Sequence, residues 1–534
     1  MYDILIKGGQ IVDGSGEPAF YGDVAVQDGK IARIAPEITE DAKRVIDASG
    51  LQVTPGFIDT HSHSDKAAYN GSDCYNYLEQ GVTTQIAGQC GDSLAPYYPE
   101  MQKLFQLTDE QVELWSTKGA TPSTFMEAAA EAQTGTNVAY FLGHAAVRGK
   151  VMGMSDAVPD AEQLKEMQGY VKDAMEAGFL GMSTGLIYPP SVYGKTEELI
   201  ALSGVMAPYH GIYVSHIRGE GNNLLPAVRE AIRIGEEAGV STFISHIKIM
   251  GKTNKGASDQ LIREMDAAIA RGLDLWADQY PYTASSAPLY GQLPPKYLVG
   301  GSAVWLERIK SPEIRQQILH SMMHEVEEFE SGIYHAGFDG TLVTAAKQTP
   351  EMVNKTLGQI ARERGVEPID ALCDLLIAND GVVQCVYFNI SVSDMFNIMA
   401  HPRGLCGSDT SNYRNRRYDP ETVGGGHPRS SGTMVRRLEL VRDFRLRTME
   451  ESVRNLTWDS ACALGLGDHG LLKEGWDANI TILDYDRLHA SSDYVHPRRR
   501  NTGIHWVLVN GVVAVEGGVS IPGVRAGKLI KRCR

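Results

Sequence analysis

The stretch that decides the fold is "GIYVSHIRGEGNNLLPAVREAIRIGEEAGVSTFISHIKI", residues 211–249. It opens on a short apolar run and passes into "LLPAVREAIRIGEEAG", where Leu225, Val228, Ala231, Ile232 and Gly235 share one face. Apolar residues at three- and four-residue spacing mark the buried side of an α-helix. Gly239 is its stop, because glycine adopts the left-handed conformation that ends a helix at little cost. A second apolar run follows at 241–249. Strand, helix and strand within about 30 residues make one crossover unit of a parallel sheet.

Working outward, the rhythm continues. The helical pattern "DQLIREMDAAIARG" ends at Gly272, and "LDLWADQYPY" (273–282) reads as the next strand. The two ends of the chain read differently. "GDVAVQDGKIARIAP" (22–36) and "IHWVLVNGVVAVEGG" (504–518) alternate apolar and polar residues around Asp28-Gly29 and Asn510-Gly511. Such dipeptides close tight hairpins, since both turn positions need positive φ. "DANITILDYD" (477–486) adds a strand. The expected fold is α/β: a (β/α)8 TIM-like barrel over residues 55–464, with a small β-sandwich domain built from 1–54 and 465–534. The rhythm breaks between about 287 and 346, which reads as an insertion between a strand and its helix.

The chain has 534 residues, 43% hydrophobic and 22% charged, with a formal net charge of −16. An acidic balance disfavours nucleic acid or an anionic membrane as partner. No apolar run reaches the ~18 residues of a membrane span, and the N-terminus lacks a signal-peptide pattern. A cytoplasmic protein is expected. Seven scattered cysteines without a CxxC pair do not form a disulfide framework. "HPRRR" (496–500) reads as a solvated loop.

The two strands of the opening stretch end alike, on Ser215-His216-Ile217-Arg218 and Ser245-His246-Ile247-Lys248. The histidines are 30 residues apart, one crossover unit. Neighbouring parallel strands end side by side, so His216 and His246 meet at the face where such folds place their active sites. Alone, each would read as a structural hydrogen-bonder; matched, they read as metal ligands. "PGFIDTHSHSD" (55–65) carries His61 and His63, whose i, i+2 spacing at a strand end turns both imidazoles to one side. Asp65 is a candidate to orient one of them. In "EQGVTTQIAGQCGDSLAP" (79–96), Cys90 stands after a short strand. It reads as readily as a small buried residue as it does as a functional thiol, either a zinc ligand or a nucleophile. Cys74, Cys373, Cys385, Cys406, Cys462 and Cys533 read as structural. Asp409, in "HPRGLCGSDT" (401–410), suits a turn; a carboxylate there can also bind metal and shuttle a proton.

These motifs together resemble the amidohydrolase superfamily, and within it the N-acyl-D-amino-acid deacylases. "GMSTGLIYPPS" (181–191), "DQYPYTASS" (278–286), "HPRSSGT" (427–433) and "LGLGDHGLLKEGWDANITILD" (464–484) are similar too. The resemblance implies a tightly bound zinc on Cys90, His216 and His246, with cysteine where many relatives carry a carbamylated lysine. His61, His63 and Asp409 would line a second metal position, weaker or empty. It implies hydrolysis of an N-acyl-D-amino acid to a carboxylic acid and a free D-amino acid. In that reaction zinc acidifies the attacking water and Asp409 moves its proton to the leaving amine. Lys248, Tyr188, Tyr280, Ser286 and Arg429 are expected to bind the substrate, with cations for its carboxylate. Two features depart from the family: Asp92, where a small apolar residue is usual, and an arginine-rich loop at 411–426. The alternative is a cyclic-amide hydrolase of the hydantoinase or dihydropyrimidinase type. It fits less well, because those enzymes bridge two metals with a carbamylated lysine and need no carboxylate clamp. A scaffold protein that has lost its ligands would lack the histidines retained here. Oligomeric state is not legible.

Overall fold

The two terminal hairpins form as expected. In the computed structural model, which describes residues 1–66, 71–326, 329, 331–412 and 425–532, Asp28 and Gly29 have φ of 50° and 77°, and Asn510 and Gly511 have 48° and 79°. Strands from both ends join in a single nine-stranded sheet. The joint is antiparallel, between Gln52–Pro55 and Ile480–Leu483. Ile6, Val24 and Val26 from the N-terminal strands pack with Ile480, Ile482 and Leu508 from the C-terminal ones.

The middle of the chain carries the parallel strands β1 (Phe57–Asp59), β2 (Val82–Ala87), β3 (Asn137–Tyr140), β4 (Leu142–Gly143), β5 (Gly181–Gly185), β6 (Ile212–His216), β7 (Ser241–Ile244), β8 (Leu275–Gln279) and β9 (Gly404–Cys406). β1, β2 and β3 pair in one sheet; β4 to β9 pair in another, in the order β9-β8-β7-β6-β5-β4. Two links join the sheets. Only Phe141 separates β3 from β4, and Thr60 Oγ1 donates to Cys406 O at 3.1 Å, tying β1 to β9. One apolar cluster takes Ile58, Ile86, Ala139, Val214, Phe243 and Leu405, from six of these strands. The strands therefore surround a shared core.

The unit read first from the sequence is present. Helix α1 (Leu224–Ala238) joins β6 to β7 and ends at Gly239, φ 68°. Its buried face holds Val228, Ala231, Ile232 and Gly235. Leu225 is only half-buried; Leu224 takes the buried place. Helix α2 (Ser258–Ala270) leads to β8. The strands are shorter than the apolar runs, because the residues after β7 turn away to form the site.

The insertion is longer than the sequence pattern indicated. Ser285–Pro288, Thr341–Ala346 and Val383–Tyr387 form an antiparallel sheet. Its core includes Leu289, Trp305, Ile318, Leu372 and Tyr387. The segment thus runs past residue 346 to Tyr387. The helices Leu357–Arg364 and Pro368–Ala378 pack their apolar faces inside this separate core. Among the described residues, no helix is long and apolar enough to cross a membrane.

Candidate metal centre and substrate cavity

His61 and His63 follow β1 directly. Asp59 Oδ1 accepts from the backbone N of His61 (3.2 Å) and of Ser408 (2.8 Å). Asp409 N donates to His61 O at 2.8 Å, and His63 N donates to Thr410 O at 2.7 Å. This short backbone ladder brings Asp409 against both histidines from 346 residues away. Cys90 lies three residues beyond β2. The turn before it needs glycine, because a Cβ on Gly88 (φ 77°) would lie 1.9 Å from Phe141 O. Cys90, His246 and Asp409 themselves have φ of 55°, 34° and 51°. Non-glycine residues rarely adopt that region, and such strain collects at functional sites.

The ligand atoms converge as two groups that share Cys90. Cys90 Sγ is 3.4 Å from His246 Nε2 and 3.4 Å from His61 Nε2. The His216 and His246 rings stand edge to face, centroids 4.3 Å apart. Cys90, His216 and His246 present ligand atoms within 4.8 Å of one another, and so do His61, His63, Cys90 and Asp409. Ligands about 2.0–2.3 Å from one tetrahedral ion stand roughly 3.5 Å apart, so the 3.4 Å spacings fit a shared cation. Both ring nitrogens of His216 are buried without a hydrogen-bond partner, as is His61 Nδ1. Such orphans cost about 1–3 kcal/mol each, and a cation would relieve one of the two on His216.

Electrostatics support the same reading. Burial pushes the Cys90 thiol well above its ordinary value, with Asp409 and Asp92 adding to the effect. A thiolate here therefore needs a cation beside it. Burial holds His216 and His246 well below the usual imidazole range, so both are neutral, as ligands must be. Burial alone would raise the Asp409 carboxyl, but the Arg429 charge and the hydrogen bond with His63 outweigh it and hold Asp409 well below the usual range. Asp409 is gripped at both oxygens: Oδ1 lies 3.1 Å from His63 Nε2, and Oδ2 lies 2.7 Å from Arg429 Nη1.

A cavity of about 890 Å³ opens over Cys90, His216, His246 and Asp409. Lys248, Tyr188, Tyr280, Ser286 and Arg429 all line it, as do Asp92 and residues of the insertion such as Tyr290 and Trp305. The Tyr280 hydroxyl is buried without a partner. The Arg429 guanidinium lies 4.8 Å from the centroid of the Tyr280 ring, and the Tyr188 ring meets His216 edge-on at 5.3 Å. Arg429 pairs with Asp409, and Lys248 with Glu220. Asp65 accepts from Gly88 N at 2.9 Å, tying the loop after β1 to the end of β2, while its charge still bears on His63. Residues 413–424 of the arginine-rich loop, and Cys533, lie outside the described residues.

Sequence reading missed three carboxylates. Asp59 holds the backbone around His61 and Ser408. Asp278 accepts from Thr60 Oγ1 (2.8 Å) and from the backbone N of His246. Glu220 contacts His246 and Lys248. Position supplied a signal for the last two: Glu220 follows His216 by four residues, and Asp278 stands next to the end of β8, the strand after β7.

Comparison with known proteins agrees with this geometry. Residues 44–261 match the amidohydrolase family. Over 533 residues the chain is 31% identical to the D-aminoacylase of Alcaligenes xylosoxydans xylosoxydans, covering 99% of this chain and 98% of the relative. The chain belongs to the amidohydrolase family. This amidohydrolase is also 30% identical to N-acyl-D-aspartate deacylase of the same organism, over 98% of this chain and 94% of that protein. Among solved structures it resembles N-acyl-D-glutamate deacylase from Bordetella bronchiseptica, complexed with zinc and a phosphonate inhibitor that mimics the tetrahedral intermediate. The TM-score is 0.80 at 29% identity, and 99% of each chain is covered.

Proposed function

We propose that this amidohydrolase hydrolyses the amide bond of N-acyl-D-amino acids, releasing a carboxylic acid and a free D-amino acid. One observation carries the reading: a buried thiol and two neutral imidazoles converge at the floor of a cavity whose wall bears Lys248 and Arg429. Three relatives 30–31% identical over 98–99% of this chain are named D-aminoacylase, N-acyl-D-aspartate deacylase and N-acyl-D-glutamate deacylase.

Cys90, His216 and His246 would hold a zinc ion tightly, and His61, His63 and Asp409 would line a second, weaker position. Sulfur and imidazole donors together suit zinc. Bound zinc supplies Lewis acidity to the amide carbonyl and acidifies water. The protein does the rest. Asp409 takes a proton from the attacking water and returns it to the leaving nitrogen. Arg429 fixes the carboxylate's orientation through Oδ2 and leaves Oδ1 toward the histidines. Lys248 and the unpartnered Tyr280 hydroxyl bind the substrate carboxylate, with Tyr188 and Ser286 on the adjacent wall. With β3 and β4, which only Phe141 separates, taken as one strand and Thr60 joining β1 to β9, the parallel strands are read as a closed (β/α)8 barrel over 55–464. The terminal sheet is read as a small β-sandwich domain of residues 1–54 and 465–534.

The test is zinc content per chain, followed by turnover of N-acetyl-D-amino acids, N-acetyl-L-amino acids and hydantoins. Turnover of the D-series with little of the L-series is expected. Hydantoin turnover without D-series hydrolysis refutes the reading.

A further inference from the structure

Glu220 lies in the loop after β6 and is only 5% exposed. Its Oε1 is 3.1 Å from His246 Nδ1 and accepts from Lys248 Nζ. Lys248 Nζ is itself 2.9 Å from the same Nδ1. The two contacts at Nδ1 exclude each other, because a neutral imidazole carries one N–H. With its hydrogen on Nδ1, His246 donates to Glu220, and the Nε2 lone pair faces Cys90 and a cation. With its hydrogen on Nε2, Nδ1 accepts from Lys248 and Nε2 cannot ligate. Glu220 and Lys248 therefore pull His246 toward opposite tautomers.

We propose that Glu220 is the positioning residue that sets His246 in its ligating tautomer, and that substrate strengthens this setting by drawing Lys248 away. The second half rests on Lys248 as the clamp for the substrate carboxylate. A carboxylate arriving at Lys248 competes with Glu220 for the same ammonium. As Lys248 leaves Nδ1, the non-ligating tautomer loses its donor and Glu220 keeps the ring N–H. The imidazole stays neutral throughout; only the position of its hydrogen changes. Metal and carboxylate substrate then bind cooperatively, each raising the affinity of the other by the same factor. A carboxylate behind a ligating histidine is a general device for orienting it. Here the carboxylate is shared with the substrate's own anchor.

The experiment is zinc affinity by chelator competition on the full chain, for wild type, Glu220→Gln and Lys248→Met. Glu220→Gln should bind zinc about 10- to 100-fold more weakly. Lys248→Met should bind it more tightly than wild type, while raising KM for an N-acetyl-D-amino acid. A purely structural role would not move the two variants in opposite directions. If Glu220→Gln does not fold, the sign of the Lys248→Met change decides alone. Adding the free D-amino acid product at saturation should tighten zinc binding in wild type, and the gain should vanish in Lys248→Met. Unchanged zinc affinity in Glu220→Gln, weakened zinc binding in Lys248→Met, or a product-linked gain that persists in Lys248→Met each overturns the proposal. Failure of the deacylase reading shows separately, as no turnover of any N-acyl-D-amino acid by wild type, and leaves the chelator comparison standing.

Discussion

Replacing Arg429 by methionine removes the cation that faces Asp409 Oδ2 at 2.7 Å, a pair whose side chains are 8% and 10% exposed. At an effective dielectric of about 20, the Coulomb attraction over that distance is roughly 6 kcal/mol. Desolvation of both ions offsets much of it, so the pair as a whole adds little. Removing one partner is different, because a buried charge is left without its counter-ion, at about 3–5 kcal/mol. His63, 3.1 Å from the other oxygen, moderates this toward the lower end. The expected result for metal-free Arg429→Met is a loss of about 3 kcal/mol in urea denaturation. Arg429→Met combined with Asp409→Asn should recover most of that loss, because no uncompensated charge remains. The assay is the double-mutant cycle, which isolates the pair's coupling from the separate cost of each change. Additive losses in the double variant would refute the reasoning, as would an Arg429→Met protein as stable as wild type.

Other outcomes follow from the same geometry. Cys90→Ala should lose most of its zinc by metal analysis while keeping its fold, since it removes the donor common to both groups; full zinc content would exclude the thiol as ligand. Asp92 puts a carboxyl group on the cavity wall, and burial raises its pKa to about 7, so in an assay at about pH 8, where it is mostly ionised, Asp92→Asn should raise kcat/KM for N-acetyl-D-aspartate relative to N-acetyl-D-leucine. About 1.4 kcal/mol of removed repulsion gives tenfold, and an unchanged ratio would place Asp92 away from the side chain. Glu198 is buried against His144 Nε2 (2.9 Å) and Arg148. Burial alone would raise its carboxyl, but His144 and Arg148 outweigh burial and hold it below the ordinary value. The native state therefore binds fewer protons at Glu198 than the unfolded chain, so its contribution is present above the unfolded pKa and fades as pH falls through the folded one. Glu198→Gln should be less stable near neutrality and less sensitive to acid below about pH 4.5; parallel stability–pH curves for the two proteins would contradict this.

Much of the site was legible because its signals are local. His216 and His246 mark equivalent ends of successive units, and this needs only the helical and strand periods to be seen. Hairpin turns at Asp28-Gly29 and Asn510-Gly511 are written in the dipeptides themselves. The insertion's true extent was hidden, since an amphipathic helix does not declare which core will receive its apolar face. The contacts made by Asp59 and Asp278 were hidden for a related reason. Asp278 acts on Thr60 from 218 residues away, a meeting that no window of sequence contains.

The sequence by itself determined the elements, the candidate ligands and the family they resemble, because propensity, periodicity and turn chemistry act over a few residues. Tertiary structure alone decided which candidate ligands converge, that Arg429 pairs with Asp409, and that Glu220 and Lys248 both meet one nitrogen of His246. Those outcomes depend on distances of about 3 Å between strand ends far apart in the chain, where charge and hydrogen bonding are strong only after water has been excluded.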